Sequence, residues 1–211
     1  MIPLLGKPLI AYSIEQARAT AEINRLVVST DNATIAGVAQ RYGADIVWRP
    51  PEISGDKASS EAALLHVLDY LQDQENYEPE LVVFLQATSP MRRPDDIRNA
   101  IKMLQREQAD SLLSVTPCHG FLWRKASEGA CSLNYDYRNR MMRQDAPEDF
   151  MENGSIYIVK PSILRKYNNR LGGKIILYPM RAIESFQIDE PDDIVLIEHL
   201  MSFQLGPLNN G

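Results

Sequence analysis

The segment from Leu81 to Leu85 most constrains the fold, because its five consecutive apolar residues leave the strand no polar face. A strand of that kind is typical of a sheet that is covered by helices on both faces. We therefore predict a strand over residues 80–86 that is buried on both faces. Its neighbours are then expected to be further short apolar strands, with amphipathic helices between them.

Short apolar segments and amphipathic segments alternate along most of the chain. The pattern predicts strands over residues 25–30, 44–48, 80–86, 111–116, 154–160 and 175–180, and helices over residues 10–21, 33–42, 60–74, 95–108, 161–167 and 192–203. Such alternation favours a mostly parallel sheet with helices on both sides. A chain of 211 residues is long enough for one α/β domain and too short for two ordinary ones.

Residues 118–153 interrupt this alternation. They carry aromatic and methionine side chains in irregular order, without a long helical period. We interpret them as an excursion from the main sheet, a β-arm that packs against a partner, because apolar patches of this kind tend to mark interfaces. The alternative is that these side chains cover the edge of the sheet.

Composition limits the partners and the compartment. The 22 Lys and Arg residues against 28 Asp and Glu residues disfavour a protein that wraps a nucleic-acid backbone. No apolar run approaches the roughly 18 residues of a membrane span, and the start lacks the order of a signal peptide. Cys118 and Cys131 lack a metal-binding or redox spacing, which favours reduced thiols. We expect a cytoplasmic protein without nucleic-acid or membrane partners.

Polar residues follow the predicted strands, at the edge where open α/β sheets bind ligands. They form four clusters at residues 29–31, 86–92, 153–154 and 187–189, and a fifth cluster, the loop of residues 49–60, enters a helix. Small hydroxyl residues at a helix entrance suit the phosphates or ribose of a nucleotide. Taken singly, each cluster also has a plainer role. Asp31, Ser59 and Ser60 can serve as helix caps, and residues 88–90 can form a turn.

Taken together, the order and spacing of these clusters resemble the acylneuraminate cytidylyltransferases, the CMP-sialic acid synthetase family, over nearly the whole chain. Two fairly specific motifs carry the resemblance: Leu-Gln-Ala-Thr-Ser-Pro-Met-Arg at 85–92 and Asn-Gly-Ser-Ile-Tyr at 153–157. Shorter matches lie at 3–14, 27–31, 49–50, 56–60, 143–145 and 188–189. The resemblance implies a Rossmann-like three-layer nucleotidyltransferase fold, with a mostly parallel sheet and a small dimerisation arm within 118–153, and a homodimer.

The activity implied by the resemblance is the transfer of CMP from CTP to an acidic keto-sugar. The anomeric hydroxyl of a 2-keto sugar acid such as N-acylneuraminate attacks the α-phosphate, and pyrophosphate leaves. Mg²⁺ (or Mn²⁺) would neutralise much of the charge. The alternatives are a cytidylyltransferase for 3-deoxy-manno-octulosonate, pseudaminic acid or legionaminic acid, and a non-catalytic relative that binds a sugar or a nucleotide.

Site residues follow from the resemblance by position. The positions that match catalytic residues are Gln86 and Asp189, and those that match metal ligands are Asp189 and Gln187. The positions that match nucleotide-binding residues are Arg49, Ser59 and Ser60. The positions that match residues facing the sugar are Gln86, Arg143, Asn153 and Tyr157. The resemblance places Arg143 in the partner subunit's site, where a guanidinium fits the sugar carboxylate. For Tyr157, core packing is an equal alternative. The family commonly has Asp at the position of Gln187, so metal binding is expected to be weaker here.

The family also opens with a strand and a phosphate-binding loop rich in Gly, Ser, Lys and Arg, directly before the segment at which this chain begins. A sheet that lacks such a central strand is expected to have unpaired edges and a weaker core. A segment lost from the amino terminus is the explanation that we prefer at this stage.

Overall fold

A computed structural model gives the fold of residues 2–55, 58–145 and 147–205, with the side chains of residues 143, 204 and 205 excepted. The strands are β1 (Pro3–Leu4), β2 (Lys7–Pro8), β3 (Val27–Thr30), β4 (Asp45–Trp48), β5 (Val82–Leu85), β6 (Ser111–Cys118), β7 (Trp123–Ala126), β8 (Gly129–Ser132), β9 (Asp149–Val159) and β10 (Ile175–Pro179). The helices are α1 (Leu9–Arg18), α2 (Ala33–Arg41), α3 (Ser60–Glu75), α4 (Asp96–Arg106), α5 (Pro161–Tyr167) and α6 (Pro191–Leu205). These bounds confirm the predicted alternation of strands and helices.

Local chemistry explains several of the helix ends. The Asn32 side chain accepts hydrogen bonds from the backbone N–H groups of Thr34 and Ile35 and so caps α2. Asp31, which the sequence suggests as a helix cap, is exposed and does not cap α2; the cap is the next residue, Asn32. Gly43 follows α2 with φ +90°, a conformation that favours glycine and that ends the helix where the sequence predicts.

The main sheet has four strands in the order β10-β6-β9-β5. Strands β10 and β6 pair in parallel, whereas β9 pairs antiparallel with both β6 and β5. Three of the four strands therefore run in one direction and β9 runs against them, so the predicted mostly parallel sheet is a mixed one. Strands β3 and β4 form a separate parallel pair.

Helices cover the main sheet on both faces, as the sequence predicts. On one face, Ile101 and Leu104 of α4 pack against Leu112, Ile156 and Ile158. On the other face, Leu68 of α3 and Leu164 of α5 pack against Val159. A third apolar cluster joins α1 and α2 to β3 and β4 through Ile14, Ala39, Val28 and Ile46. The arrangement is three-layered.

Strand β5 is not buried as the sequence predicts. All four of its residues are only half-buried, although helices lie on both of its faces. The reason is its place at the edge of the main sheet, where β9 is its single pairing partner among the described strands. Among the described strands, β3 likewise has one pairing partner, β4. The unpaired edges expected from the sequence are therefore present.

The irregular stretch of residues 118–153 contains the predicted β-arm, an antiparallel hairpin of β7 and β8. A cluster of rings joins Trp123 to Tyr135 and Tyr137, with ring centroids 6.1 and 5.5 Å apart. Trp123, Tyr137, Met141 and Met142 nevertheless remain exposed. No helix in the described ranges combines the length and apolar character that a bilayer crossing requires.

A bulge in β9 interrupts its pairing with β6 and turns the strand at the candidate site. The pairing register shifts between Leu113 and Val115. Gly154 lies in the bulge with φ +64°, which a glycine adopts without strain. The buried hydroxyl of Ser114 closes the bulge, because it donates to Asn153 Oδ1 at 2.6 Å and accepts from Ile156 N at 2.7 Å.

Replacement of this hydroxyl tests its role. We expect Ser114→Ala to lower the free energy of unfolding by about 1–3 kcal/mol, because it leaves a buried N–H group without a partner. Urea unfolding measures the change. The control is Ser202→Ala at an exposed position of α6, where a change within about 0.5 kcal/mol is expected. Equal losses in both variants would contradict the role assigned to Ser114.

Candidate functional site

One cavity of about 960 Å³ opens between the edge strands β3 and β5, and we call it the sheet groove. Its polar end is formed by one residue of β3, by residues that follow β4 and β5, and by residues at the start of α3: Ser29, Arg49, Gln86, Thr88, Ser59 and Ser60. All three nucleotide-binding positions inferred from the sequence thus share one cavity with Gln86. The rest of the groove is lined mainly by apolar side chains.

Arg49 is held at the end of β4 by the neighbouring strand. Its Nη2 donates to the carbonyl oxygen of Ser29 at 2.6 Å, and its Nε donates to Ser29 Oγ at 3.2 Å. These bonds orient the guanidinium along the wall of the groove. The side chain is only half-buried, so a cation is available to an anionic or hydrogen-bonding ligand at the polar end.

Ser59 and Ser60 stand at the start of the 16-residue helix α3. Ser59 Oγ accepts a hydrogen bond from Ala62 N at 3.1 Å, so Ser59 is the helix cap that a plain structural interpretation predicts. A cap does not use every N–H group of the first turn, and the helix dipole favours negative charge there. The polar end of the groove is therefore suited to an oxyanion.

Two side-chain amides meet over the backbone of Gly154. A Cβ atom at this position would lie 2.9 Å from Gln187 Nε2 and closer still to Gln86 Oε1. Gln187 Nε2 donates to the carbonyl oxygen of Asn153 at 2.8 Å. The missing side chain of Gly154 thus lets Gln86 and Gln187 approach each other.

Asp189 follows Gln187 by two residues. The backbone N–H of Ile188 donates to the carbonyl oxygen of Thr88 at 2.9 Å and so fixes this loop beside the end of β5. The carboxylate of Asp189 is exposed, whereas Asp193 accepts the backbone N–H groups of Asp189 and Glu190. Asp189 does not line the groove itself, but its loop borders the polar end.

Asn153 is brought to the same region, with its side chain turned inward. It is 1% exposed, and its amide bonds to Ser114 Oγ, Ser155 N and Ser185 Oγ. Its carbonyl oxygen accepts from Gln187. The described contacts make Asn153 a residue that shapes the bulge, and its contact with a sugar stays a prediction.

Tyr157 occupies a buried position on the face of the sheet that carries α3 and α5. Its ring stacks on Phe84 with centroids 5.9 Å apart, and Arg170 covers it at 4.6 Å. The hydroxyl donates to Glu152 in a short hydrogen bond. Burial raises the pKa of the Tyr157 hydroxyl well above its usual value, and Glu152 adds to this effect. These contacts agree with the core-packing alternative given above.

Arg143 begins a short 3-10 turn over Arg143–Asp145 in the irregular stretch. Its side chain lies outside the described residues. The role that the family resemblance gives it, contact with a sugar carboxylate across a dimer, therefore stays a prediction.

Arg92 is a central residue of the site that the sequence analysis quotes in a motif without assigning it a role. Arg92 as a whole is 5% exposed. It donates to the carbonyl oxygens of Ser155 and Gln86 at 2.7 Å each, and to Ser13 Oγ and Gln16 Oε1 at 3.0 and 3.1 Å. Burial lowers the pKa of Arg92 to about 9, which still leaves it charged at neutral pH. A single cation thus joins α1, β9 and the residue after β5.

A second buried network holds the loop that carries Gln187 and Asp189. Glu184 is fully buried and pairs with Arg181 at 2.6 Å and with Arg93 at 3.1 Å. Arg93 also lies 3.6 Å from Asp96, whose pKa is raised by burial. The sequence indicates this network only weakly. The charged residues of Arg-Arg-Pro-Asp-Asp at 92–96 are equally typical of the solvent-exposed start of a helix.

The oxygen atoms near Asp189 could supply only some of the ligands that a cation such as Mg²⁺ prefers. Within the described part of the chain, no three His, Cys, Asp or Glu side chains gather as a ready-made metal cage. The oxygens at hand are the Asp189 carboxylate and the amide oxygens of Gln187 and Gln86. Mg²⁺ is commonly bound through one or two carboxylates together with substrate phosphates and water. The site thus fits a cation that arrives with a phosphate ligand.

A family model described as cytidylyltransferase matches residues 1–210 of the chain. N-acylneuraminate cytidylyltransferase A of Danio rerio is 33% identical over 192 residues, which cover 88% of this chain and 43% of the relative. The N-acylneuraminate cytidylyltransferase of Escherichia coli O18:K1:H7 is 29% identical over 92% of this chain and 46% of the relative. The chain thus spans less than half the length of these two relatives.

A shorter relative is matched over most of its length. CMP-N,N'-diacetyllegionaminic acid synthase of Legionella pneumophila is 29% identical over 214 residues, which cover 94% of this chain and 87% of the relative. Among solved structures, CMP:2-keto-3-deoxy-manno-octonic acid synthetase complexed with CTP superposes with a TM-score of 0.71 at 15% identity, covering 96% of this chain and 91% of that one. 4-Diphosphocytidyl-2C-methyl-D-erythritol synthase of Anaerococcus prevotii has a TM-score of 0.69 at 12% identity, with 95% and 88% covered. These likenesses confirm the nucleotidyltransferase fold.

The contacts of Arg92 generate a prediction about stability. We expect Arg92→Met to lower the free energy of unfolding by about 3 kcal/mol or more, because it deprives the buried carbonyl oxygen of Ser155 of its donor and removes the shortest hydrogen bond to the carbonyl oxygen of Gln86. Urea unfolding measures the loss. Arg106→Met is the control, since Arg106 is exposed and pairs with Glu107 at the surface, and we expect it to change stability by no more than about 0.5 kcal/mol. If the two variants were equally stable, Arg92 would not hold the site together.

Proposed function

Because the chain belongs to the cytidylyltransferase family, we propose that it transfers CMP from CTP to an acidic 2-keto sugar, with release of pyrophosphate. The observation that carries this proposal is the shared cavity of Arg49, Ser59, Ser60 and Gln86. The groups suited to a nucleotide and the group suited to the reacting phosphate meet there at the carboxyl ends of the strands, where open α/β sheets bind ligands.

The nucleotide occupies the polar end of the sheet groove in this proposal. Arg49 offers a guanidinium whose orientation is set by Ser29. The hydroxyl groups and free N–H groups at the start of α3 bind ribose or phosphate oxygens. Because these groups are positioned before the ligand arrives, binding spends little free energy on ordering them.

Gln86 and Gln187 lie where the reacting phosphate meets the sugar. Their amides flank Gly154, so each can hydrogen-bond to an oxygen without moving the backbone. The oxygen of the sugar hydroxyl bonds to the α-phosphorus and its proton passes to water. The bond from that phosphorus to the bridging oxygen breaks, and pyrophosphate leaves with the electron pair. Catalysis of this kind is mostly positioning and charge neutralisation.

We propose Asp189 as the carboxylate that holds Mg²⁺ or Mn²⁺, with the Gln187 amide oxygen as a neutral second ligand. When bound, such a cation neutralises charge on the phosphates. Gln187 uses its N–H₂ group to hold Asn153 O, which leaves its oxygen for the ligand side. Because the Gln187 amide is neutral, the substrate phosphates must supply more of the negative charge that balances the cation.

The acceptor class follows from the relatives. N-acylneuraminate is the first candidate, because two of the matched proteins are N-acylneuraminate cytidylyltransferases. Legionaminic acid is the second, because the Legionella relative is matched over 87% of its length. Side-by-side assays with both acids and with 3-deoxy-manno-octulosonate rank these acceptors by kcat/KM.

We place the reaction in the cytoplasm, where thiols are kept reduced. Cys118 and Cys131 are both free thiols, which fits a reducing compartment. Fractionation of the source cells, followed by immunoblotting, measures the location. Recovery of the protein outside the cytoplasmic fraction would contradict it.

The metal carboxylate provides the direct test of the proposed reaction. We expect Asp189→Asn to lower turnover by at least about 100-fold, because it removes the carboxylate assigned to the metal. Pyrophosphate release from CTP in the presence of N-acetylneuraminate measures turnover. The assay uses the chain itself and the chain extended by about 20 residues read upstream of Met1 in the genomic DNA, a length that holds one strand and its loop.

The matched control is Asp192→Asn, an exposed carboxylate three residues further along, which is expected to keep turnover within about twofold. A near wild-type rate of Asp189→Asn at saturating Mg²⁺ would show that the metal is bound elsewhere. Sugar binding without turnover in either length of chain would favour the non-catalytic alternative.

We further propose that the chain forms a homodimer through the arm of residues 118–153. The arm exposes Trp123, Tyr137, Met141 and Met142, and clustered exposed apolar side chains mark interfaces. Light scattering on the purified chain is expected to give twice the mass of 23.9 kDa. Met142→Glu, which places a charge in the arm, is expected to shift the protein towards monomer, whereas Phe203→Glu on the distant helix α6 is not. A monomeric wild-type chain would contradict the dimer and the role given to Arg143.

A further inference from the structure

An ion pair on the face of the main sheet that carries α3 and α5 has no part in the reaction proposed above. Arg170 follows α5, and its Nε lies 2.8 Å from a carboxylate oxygen of Glu61 in the first turn of α3. The side chains of Arg170 and Glu61 are 20% and 14% exposed. Both charges are therefore largely removed from water.

Two aromatic rings lie against the guanidinium of Arg170. Phe84 of β5 and Tyr157 of β9 are paired residues of the sheet, and their rings stack. The central carbon of the guanidinium lies 5.2 Å from the ring centroid of Phe84 and 4.6 Å from that of Tyr157. Because a guanidinium is attracted to the face of an aromatic ring, the stack helps to hold Arg170 in place.

The Nη1 atom of Arg170 is buried and has no hydrogen-bond partner among the described residues. A guanidinium carries five N–H groups in a fixed plane, and the ion pair with Glu61 engages it at Nε. A buried N–H group without an acceptor costs free energy. An oxygen from outside the chain, from water or from a ligand, satisfies such a group.

The stability of the fold does not account for this ion pair. Two charges removed from water are costly, and apolar side chains of similar volume often serve as well or better. The surroundings are apolar, since Leu113, Val115 and Leu171 pack in the same cluster as the two rings. An apolar pair would suit these surroundings and would leave no N–H group unpaired, so recognition of a ligand explains the pair better.

The ion pair borders the polar end of the sheet groove. Phe84 lines the groove together with Ser60 and Gln86. Glu61 directly follows Ser60, and Phe84 precedes Gln86 by two residues. Arg170 thus lies between the helix start at which the nucleotide is proposed to bind and the strand that leads to Gln86.

The charges around Arg170 select the kind of oxygen that it can bind. The charged groups near the Tyr157 hydroxyl include Arg170, Glu61 and Glu152, and Glu152 accepts the hydrogen bond of that hydroxyl. Two carboxylates thus stand against one guanidinium. They would repel a further carboxylate, whereas a hydroxyl or an amide oxygen accepts a hydrogen bond without adding charge.

We propose that Arg170 determines which acceptor the site takes, because its guanidinium donates a hydrogen bond to an uncharged oxygen of the sugar acid, a hydroxyl or an amide carbonyl. This inference rests on the proposed transfer of CMP and adds a residue to its acceptor site. It differs from the role inferred for Arg143, which concerns the carboxylate of the sugar.

Removal of the guanidinium tests the proposal. We expect Arg170→Met to raise the KM for N-acetylneuraminate by at least about tenfold, because a hydrogen bond from a charged donor is lost. The KM for CTP and kcat are expected to stay within about threefold. Arg170→Lys, which keeps the charge but not the planar group, is expected to give a smaller rise. Pyrophosphate release at saturating CTP measures these constants.

The matched control is Arg165→Met. Arg165 lies on α5 and also pairs with a carboxylate of α3, Asp69 at 2.5 Å, but both partners are more exposed. We expect this variant to keep the KM for N-acetylneuraminate within about twofold, because exposed ion pairs contribute little.

A double variant separates recognition from stability. Arg170→Met alone leaves Glu61 as an unpaired charge and is expected to lower the midpoint of thermal unfolding. Glu61→Leu combined with Arg170→Met removes both charges, so the midpoint is expected to return to within about 2 °C of the wild type. The raised KM is expected to persist, because the donor is still missing.

A pair of acceptors identifies the oxygen. N-acetylneuraminate and 2-keto-3-deoxynononate differ in that the second carries a hydroxyl in place of the acetamido group. If Arg170 binds the amide carbonyl, Arg170→Met raises the KM mainly for N-acetylneuraminate. If it binds a hydroxyl that the two acids share, both KM values rise alike.

Binding is also measured without turnover. Calorimetric titration of N-acetylneuraminate in the presence of CMP gives the Kd, and the same rise of at least about tenfold is expected in Arg170→Met. A difference in Kd without turnover in the wild type would contradict the transfer of CMP alone. Turnover with unchanged acceptor constants in Arg170→Met would contradict the role of Arg170 alone.

Three further results would overturn the role of Arg170. A wild-type KM in the double variant would show that the pair acts only through stability. An equal rise in the KM for CTP would place Arg170 at the nucleotide. Absence of binding of either acid by the wild-type chain would leave Arg170 without the ligand assigned to it.

Discussion

A buried guanidinium sets the geometry on which the candidate site depends. Arg92 is removed from water, and a desolvated cation is costly unless each of its N–H groups has an acceptor. Its acceptors come from three places: α1, the end of β5 and the bulged strand β9. Because the cation must be satisfied, these three segments have fixed relative positions. The side chain of Gln86 therefore enters the groove from a backbone that Arg92 has already placed.

The candidate site and the unpaired edges of β3 and β5 share one cavity, which links the site to the stability of the sheet. The polar end of the groove carries Arg49 and the serines of α3, and the apolar length carries the unpaired edges of β3 and β5. Groups at strand ends are only as rigid as the strands beneath them.

Local sequence chemistry predicted much of the fold. The helix predicted over residues 33–42 is confirmed by α2, because the spacing of the apolar residues that a helix buries on one face is visible in its own sequence. The β-arm was also predicted, from the aromatic and methionine side chains that occur in irregular order over residues 118–153. The half-burial of β5 was missed, because burial depends on neighbouring strands that an apolar run does not reveal.

The sequence by itself determined the family, the alternation of strands and helices and the polar residues at the strand ends, since motifs and periodicity are local in the chain. Only the tertiary structure decided which of those residues meet. It brought Gln86 and Gln187 together over Gly154, and it turned the side chains of Asn153 and Tyr157 into the interior. It also gave Arg92 its acceptors. The physical reason is that a bulge, a strand's place in the sheet and a buried cation's partners all depend on contacts between residues far apart in sequence.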